Sequence, residues 1–389
     1  MDDLIVMKAL FCSSHPLDSR LGAPKILIEV AAEMDRLGWH CTLVSDEEIC
    51  PGVGRYPNNA RRLVAFANSM GAYLDRRARE FDVVDYDHRF LPFPRARFHP
   101  STLMVARVPL LLHHAERIRL PPMGGIRQRM KSQLARPIRL LQMKYEFRRI
   151  VRTLRNADLI NVSNDYDRTE LVTRNFDPDD VTVIPLGITD DRLAAFAADP
   201  PPAPITPRVA FVGTFDARKG APDFPELVRS VVTAIPGCKF RLLGSQYRGV
   251  EEVLRFFPRA LRRGIEVHPR FEPAELPGLL SDCSLGVFPS YYESFGFGVL
   301  EMLAASLPVV AYDSPGPPMM LPREYLVARG DVPDLAARVV ALLKSPRKLA
   351  DARVWARRRA KDFRWEVAAQ RTSDVYRERL AALRRLSTG

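Results

Sequence analysis

Short apolar runs alternate with amphipathic helical stretches along this chain, and that alternation restricts the fold more than any other feature. Residues 4–11 are apolar, a helical pattern then runs from Lys25 to Leu37 and stops at Gly38, and the next run is again strand-like. Further strand-like and helical segments follow: "FDVVDYD", "TLMVARVPLLLHH", residues 138–155, "DLINVS" and "VTVIPLGI". Strands that alternate with helices predict an α/β fold with a mostly parallel, doubly wound sheet.

The alternation is interrupted once, by a proline-rich segment at residues 198–208. Five prolines in these eleven residues disfavour both helix and sheet. The pattern then restarts with "RVAFVGTF", "KFRLLGS", "IEVHPRF" and "SLGVFPS". A chain of 389 residues is also long for one core. We therefore predict two tandem Rossmann-like domains, 1–197 and 209–362, a linker at 198–208 and a C-terminal helix at 363–389.

Composition restricts the class of protein. The net charge of +12 favours anionic partners without choosing among them. The N-terminus "MDDLIVMKALFC" is acidic, and no run of about 18 apolar residues occurs, so we expect a cytoplasmic protein. The five cysteines are scattered without a C-x-x-C pair, which suggests neither a disulfide framework nor a zinc site.

A basic helical segment at residues 127–155 allows two interpretations. Lysines and arginines predominate, Glu146 is the only acid between Arg127 and Arg152, and apolar residues recur at helical spacing. Such a helix docks on anionic lipid, which would place the protein at the inner face of the membrane. Alternatively, it packs its apolar stripe on its own domain and solvates its charges.

Glu293 and Glu301 lie eight positions apart in "PSYYESFGFGVLE". The pattern places Glu293 in a loop after a buried strand and Glu301 in the helix that follows. Gly296 and Gly298 allow a ligand to approach the backbone, and the helix N-terminus attracts a phosphate. Ionised carboxylates only accept hydrogen bonds, so beside a phosphate they suit neutral hydroxyls. A nucleotide sugar offers both groups, whereas a capping acid and a surface acid are the alternative.

A second phosphate-binding group is predicted in "VGTFDARKG". This segment leaves a strand at Gly213 and places Arg218 and Lys219 at the carboxyl edge of the sheet, where open α/β sheets bind ligands. Either cation would stabilise a diphosphate as it leaves. A solvated basic turn is the alternative.

These motifs together resemble a known family. "VGTFDARKG", "PSYYESFGFGVLE" and "LPVVAY", in this order, resemble the donor-binding half of family-four retaining glycosyltransferases of the GT-B type. The resemblance extends upstream to "ADLINVSNDYDRTEL" and downstream to "FRWEVAAQRTSDVY". It implies two Rossmann-like domains that face each other across a cleft, with the C-terminal helix packed back toward the N-terminal domain.

The resemblance implies a role for each matching residue of the donor domain. Glu301 would hold the ribose diol and Glu293 the hydroxyls of the transferred sugar, and Lys219 would lie on the diphosphate. The family often has Gly-Arg where this chain has Gly213 and Thr214, so Arg218 would supply the missing charge. The remaining implied contacts are the backbone amides of Phe295, Gly296 and Phe297 with the sugar and β-phosphate, and Phe271 beside the base.

The resemblance also implies residues of the N-terminal domain. Gly22 and Ala23 match a glycine-rich loop that faces the diphosphate and the acceptor. His113 and His114 follow "VPLLL" at an edge where the family often presents a histidine to the donor sugar, and a histidine without a role there is the alternative. His15 is a further polar candidate for contact with the acceptor.

The resulting prediction is a retaining, hexosyltransferase-like enzyme. It would move a sugar from a nucleoside-diphosphate sugar to a hydroxyl of a glycan, a lipid-linked acceptor or a small molecule. We expect no essential metal, no other cofactor and no nucleic-acid partner.

Two rival interpretations remain open at this stage. A metal-dependent GT-A transferase would use one of two acidic triplets, Asp85-Tyr86-Asp87 or Asp165-Tyr166-Asp167, to hold a divalent ion. A non-catalytic protein would bind nucleic acid or membrane through residues 127–155.

Overall fold

The described residues form two parallel β-sheets of six strands each. A computed structural model describes residues 6–19, 22–55, 59–123, 136–196, 206–246 and 248–388. The chain divides into two compact units: unit 1 is Met1–His113, Ala135–Gly187 and Trp365–Gly389, and unit 2 is His114–Leu134 and Ile188–Arg364. Most of the predicted linker, 198–208, lies outside the described residues.

Unit 1 is a doubly wound sheet in the order β2-β1-β3-β4-β5-β6. Residues of β3 and β4 are buried throughout, as expected for parallel strands covered by helices on both faces. Its strands are β1 (Lys8–Cys12), β2 (His40–Val44), β3 (Val83–Asp87), β4 (Leu103–Arg107), β5 (Leu159–Val162) and β6 (Val181–Val183). Its helices are α1 (Gly22–Arg36), α2 (Asp46–Ile49), α3 (Asn59–Arg77), α4 (Arg136–Arg155), α5 (Asp165–Val172) and α13 (Trp365–Thr388).

The C-terminal helix α13 completes the core of unit 1. Trp365 and Tyr376 of this helix are fully buried. The Tyr376 hydroxyl donates to Asp85 on β3, and Arg107 on β4 pairs with the same carboxylate, with 3.1 Å between its Nε and Oδ1. The indole of Trp39 donates to the hydroxyl of α13 residue Ser373 at 2.9 Å. Both apolar burial and buried polar contacts therefore hold α13 to residues from the other end of the chain.

Unit 2 has the strand order β12-β11-β10-β7-β8-β9, all parallel. This is the order of a dinucleotide-binding Rossmann sheet, and the order reverses between β7 and β10. Its strands are β7 (Arg208–Val212), β8 (Lys239–Leu243), β9 (Ile265–His268), β10 (Leu285–Phe288), β11 (Val309–Tyr312) and β12 (Leu326–Val327). Its helices are α6 (Asp190–Ala195), α7 (Phe224–Ala234), α8 (Val250–Leu254), α9 (Leu276–Leu280), α10 (Phe297–Ala304), α11 (Val332–Leu343) and α12 (Pro346–Ala360).

Two strands end earlier than the sequence pattern predicts. "TLMVARVPLLLHH" was expected to be one strand, but β4 ends at Arg107 and Leu112–Glu116 forms a 3-10 turn. "IEVHPRF" was expected to end at Phe271, but β9 ends at His268. In both segments a proline lies within two residues of the end of the strand. Proline has no backbone N–H to donate to the neighbouring strand. Leu110–Leu112 continue the apolar run past Pro109, and Phe271 continues the alternation of Ile265 and Val267 past Pro269, which is why the pattern overestimates both strands.

No helix among the described residues combines the length and apolar character needed to cross a bilayer.

Candidate functional site

The loops that follow β7 and β10 lie side by side at the point where the strand order of unit 2 reverses. These strands are neighbours, since Leu285 of β10 pairs with Val209 of β7. We call residues 213–220 the β7 loop and residues 289–296 the β10 loop. Ligands of open α/β sheets bind at the carboxyl ends of the strands at such a reversal. The topology therefore selects the two loops that the sequence motifs indicated.

The two loops are in direct backbone contact. The Tyr291 amide donates to the Arg218 carbonyl at 2.8 Å. Gly220 has φ +77°, and a Cβ at this position would lie 2.2 Å from the carbonyl oxygen of Pro289. Only glycine fits both the backbone conformation and this close approach. The side chains of the two loops are consequently held at a fixed separation.

Asp216 organises the β7 loop. Its carboxylate accepts the Thr214 hydroxyl at 2.6 Å and the backbone N–H of Lys219 at 3.1 Å. Its backbone carbonyl accepts the amide of Ala221 at 3.0 Å. A carboxylate that bonds its own backbone a few residues on stabilises a tight turn. The motif "VGTFDARKG" thus folds into a turn that presents Arg218 and Lys219 to the β10 loop.

Glu293 in the β10 loop lies between both of these cations. Its Oε2 contacts Lys219 Nζ, and Arg218 Nη1 lies 3.2 Å from the same oxygen and 3.3 Å from Oε1. The Lys219 ammonium also lies 4.7 Å from the centroid of the Phe288 ring. The side chains of Lys219 and Glu293 are only 11% and 13% exposed.

Burial and charge act against each other in this cluster. Burial alone would raise the pKa of the Glu293 carboxyl, but the charges of Lys219 and Arg218 outweigh it and the pKa is lowered. Burial lowers the pKa of Lys219, and the attraction of Glu293 opposes that shift. The carboxylate is thus held in its ionised form, and the ammonium depends on a nearby anion for its charge.

The helix α10 begins directly after the β10 loop. Gly296 is the residue before its first turn, and its carbonyl accepts the amide of Val299 at 2.8 Å. No side chain caps this helix N-terminus. Phe295 is 2% exposed and packs against Phe297, with 5.2 Å between ring centroids. Its side chain is therefore part of the core, and only its backbone can serve a ligand.

Glu301 lies on α10 and forms an ion pair that the sequence does not indicate. Its Oε1 lies 3.2 Å from Nη2 of Arg192 on α6. The two residues are 109 positions apart, so no spacing signal joins them. Arg192 therefore orients the carboxylate that the family resemblance assigns to the ribose.

Asp223 is a second residue that the sequence analysis missed. It precedes α7 and accepts the hydroxyls of Tyr291 at 2.9 Å and Tyr312 at 2.8 Å. Burial raises the pKa of Asp223, although both phenol hydrogen bonds counteract that shift. Through Tyr291, this carboxylate anchors the β10 loop next to Glu293.

The remaining predicted donor-domain residues lie at the same sheet edge. Gly213 and Thr214 directly follow β7 and are half-buried. Phe271 lies in the loop after β9, and a Cβ on Gly244, just after β8, would be 3.4 Å from its ring. The structure brings together Glu293, Arg218 and Lys219 by direct contact.

In unit 1, Gly22 and Ala23 form the start of α1. His113 is fully buried, and its ring packs edge-on against Phe147 of α4 with 4.8 Å between centroids. It therefore exposes no surface to a ligand in this structure. His114 is half-buried and belongs to unit 2 by its contacts.

A small pocket lies where the strand order of unit 1 reverses, at the ends of β1 and β3. Ser14 donates to Asp87 at 3.0 Å, and its hydroxyl lies 2.9 Å from Nδ1 of His15. Arg89 donates to both oxygens of Asp87, at 3.0 Å and 2.6 Å. Ala23 is among the residues that line this pocket. His15 thus lies at the carboxyl edge of its sheet, and its contact with an acceptor stays a prediction.

The two acidic triplets are engaged in protein contacts. Asp85 pairs with Arg107, and Asp87 with Arg89. The backbone N–H of Asp167 donates to Asn164 Oδ1 at 2.8 Å, and the side-chain amide of Asn164 donates to the Asp167 carboxylate at 2.9 Å. Across the described ranges, no group of three or more His, Cys, Asp or Glu side chains is arranged to hold a metal ion.

Comparisons with known proteins agree with this fold. Residues 206–345 match the family described as glycosyl transferases group 1. O-antigen chain mannosyltransferase B from Escherichia coli is 26% identical over 249 residues, which cover 61% of this chain and 65% of that protein. D-inositol 3-phosphate glycosyltransferase 2 from Catenulispora acidiphila is 30% identical over 257 residues, 59% of this chain and 58% of that protein. The aligned region thus spans less than two thirds of each relative.

Solved structures show the same fold over nearly the whole chain. Sucrose-phosphate synthase from Thermosynechococcus elongatus has a TM-score of 0.70 at 19% identity, covering 96% of this chain and all of that one. HepE from Anabaena, solved in complex with UDP, has a TM-score of 0.68 at 15% identity with the same coverage. The two parallel sheets have the GT-B architecture, which leaves the GT-A alternative without support. The family match at residues 206–345 covers the part of the chain that contains the β7 and β10 loops.

Proposed function

We propose that this protein transfers a sugar from a nucleoside-diphosphate sugar to an acceptor hydroxyl, with retention of the anomeric configuration. One observation carries the proposal: Arg218, Lys219 and Glu293 meet at the strand-order reversal of a Rossmann sheet, next to an uncapped helix N-terminus. The two cations and the N-terminal end of α10 suit a diphosphate, and the carboxylates suit hydroxyls. The names of the two relatives, a mannosyltransferase and a glycosyltransferase, support this reaction class.

The proposed reaction breaks the bond between the anomeric carbon and the β-phosphate oxygen. The acceptor oxygen bonds to that carbon on the same face, and the proton of the acceptor hydroxyl passes to the departing diphosphate. Lys219 and Arg218 stabilise the negative charge that develops on the diphosphate, and the fixed loops orient the donor. Glu293 accepts hydroxyls of the transferred sugar, and Glu301, oriented by Arg192, accepts those of the ribose. No side-chain nucleophile is needed.

The experiment that tests this proposal is a thermal-shift screen of nucleoside diphosphates and their sugars, followed by a transfer assay. A ligand that binds only the folded protein raises its melting temperature. UDP is the first probe, because HepE was solved with it. The transfer assay is repeated with a chelator, and we expect turnover to persist because no essential metal is part of the proposal. A protein whose melting temperature responds to no diphosphate and no sugar nucleotide does not have the proposed function.

The two glutamates are expected to differ in their effects. Glu301→Ala removes a charged hydrogen-bond acceptor, which costs about 1.5–3 kcal/mol of nucleotide binding. Glu293→Ala is expected mainly to lower kcat, because it contacts the reacting sugar. Calorimetric titration and steady-state kinetics separate the two effects. Equal donor affinity and equal kcat in both variants, with intact circular dichroism, would end the assignment.

We also propose that α4 contacts anionic lipid, since it carries exposed apolar and cationic side chains on one face. Leu141 is 69% exposed and Tyr145 44% exposed. Arg148 and Arg152 are exposed and follow at helical spacing, so they share the face with Leu141 and Tyr145. Cationic groups around an exposed apolar strip complement an anionic membrane surface. The part of the predicted basic segment at 124–135 lies outside the described residues.

Replacing Arg148 and Arg152 by glutamine is expected to weaken vesicle binding. Each basic residue near an anionic surface contributes about 1 kcal/mol. The measurement is cosedimentation with phosphatidylglycerol vesicles at low salt, with phosphatidylcholine vesicles for comparison. The control is Arg347→Gln with Lys348→Gln, an exposed pair on α12 that changes the net charge equally. Unchanged vesicle binding in the α4 variant, or an equal loss in the control, would favour the alternative. In that alternative α4 packs its apolar stripe on its own domain and its charges are solvated.

A further inference from the structure

Glu293 already pairs with the two cations that the proposed function assigns to the diphosphate. Arg218 Nη1 contacts both carboxylate oxygens, and Lys219 Nζ contacts Oε2. The Arg218 side chain is 25% exposed and the other two are less so. The carboxylate therefore serves as the counter-ion of both cations.

This pairing opposes the binding of a phosphate group, because the two cations already have a counter-ion. Two cations at this degree of burial require an anion, and removing one partner of a buried pair leaves an uncompensated charge. A diphosphate supplies that anion, so it competes with Glu293 for the same donors. The Glu293 carboxylate has no hydrogen to donate, so it repels the diphosphate unless the carboxylate turns to a different partner.

We propose that Glu293 is an internal counter-ion that the donor diphosphate displaces, and that the displaced carboxylate then accepts hydroxyls of the transferred sugar. This inference rests on the proposed function. A sugar nucleotide provides both the replacement anion and the new hydroxyl partners. A nucleoside diphosphate without sugar provides only the anion and leaves Glu293 without its cations. Glu293 thus makes the site prefer the sugar nucleotide and favours release of the diphosphate product.

Replacing an ordinary binding residue weakens ligand binding, whereas replacing Glu293 is expected to strengthen the binding of UDP. Glu293→Gln removes the competing charge with little change of shape, so the variant should bind UDP about tenfold more tightly than the wild type. UDP-glucose should gain less, because its hydroxyls lose a charged acceptor. The affinity ratio of UDP-glucose to UDP should therefore fall.

Glu301→Gln is the matched control. It also removes one negative charge from the site, but that charge pairs with Arg192 and not with Arg218 or Lys219. Its UDP affinity should fall. A gain of UDP affinity in both variants would mean that removing either negative charge strengthens binding of the anionic ligand. That result would overturn the inference.

The test is calorimetric titration of wild type, Glu293→Gln and Glu301→Gln with UDP, GDP and ADP and with their glucose conjugates. If the wild type binds a diphosphate and Glu293→Gln binds it no more tightly, the counter-ion inference is wrong and the proposed function stands. If no form binds any diphosphate or conjugate, the proposed function fails and the inference falls with it.

The inference can still be tested if Glu293→Gln fails to fold. Glu293→Ala is the second variant, and both are followed by circular dichroism with and without saturating UDP. If both are unfolded alone, UDP should restore the native spectrum, because it supplies the missing counter-ion. Failure of UDP to restore either variant overturns the inference.

Discussion

Replacing Lys219 by alanine is expected to lower kcat/KM for sugar transfer by about 30- to 1000-fold, which corresponds to about 2–4 kcal/mol of transition-state stabilisation. The ammonium is 11% exposed and lies in the β7 loop beside Glu293. A charge-assisted contact strengthens as negative charge develops on the leaving diphosphate. Turnover should consequently fall more than donor affinity does. Steady-state kinetics and calorimetric titration with the same donor measure the two quantities.

Two further variants test whether the charge of Lys219 is responsible. Lys219→Met keeps most of the apolar stem that approaches Phe288, so it should be as inactive as Lys219→Ala if the ammonium matters. Arg218 is adjacent and partly compensates, so the double variant Arg218→Ala with Lys219→Ala should be worse than either single one. Near-native kcat/KM in Lys219→Ala would mean that the backbone amides at the start of α10 carry the phosphates.

The second large effect is expected at Gly298, in the first turn of α10. A Cβ there would lie 2.3 Å from the carbonyl oxygen of Val212 and 3.1 Å from the ring of Phe288. The carbonyl belongs to the end of β7 and cannot move aside as a flexible side chain does. Gly298→Ala should therefore push α10 off the sheet and cost about 3 kcal/mol of folding free energy. The melting temperature from scanning calorimetry is the measurement, and UDP binding should weaken in parallel.

Gly278→Ala is the matched control for this substitution. Gly278 also lies in a helix, α9, but a Cβ there meets no atom within 4 Å. Alanine is a better helix former than glycine by about 1 kcal/mol, so this variant should be neutral or slightly more stable. Equal melting temperatures for Gly298→Ala and wild type would show that the helix tolerates a shift away from β7.

Sequence patterns predicted the fold class, and they selected the two loops that we propose as the donor site, because both inferences depend on local signals. Strand and helix periodicities are readable over short windows, and a loop after a buried parallel strand must lie at the carboxyl edge. The turns at Pro109 and Pro269 were missed because an apolar run continues past the first and strand-like alternation continues to Phe271 past the second. The two-residue strand β12 is too short for any periodicity to show.

The interactions of the site residues were harder to predict than their positions. Arg192 and Glu301 meet only through the tertiary fold, and so do Asp223 and Tyr312. The sequence suggests which side chains face a ligand, but it gives no indication of which partners they take without one. The pairing of Glu293 with Lys219 and Arg218 is therefore a structural finding.

The assignment of α13 to unit 1 has a consequence for synthesis on the ribosome. Unit 1 is built from three separate stretches of chain, and the last of them follows the whole of residues 188–364. Until Tyr376 emerges, Asp85 and Arg107 lack its hydroxyl, and Trp39 lacks Ser373. Unit 2 reaches its full set of strands earlier, because all six come before α13. During translation unit 2 is thus the first to be complete, and unit 1, although its synthesis begins first, waits longest for its final helix.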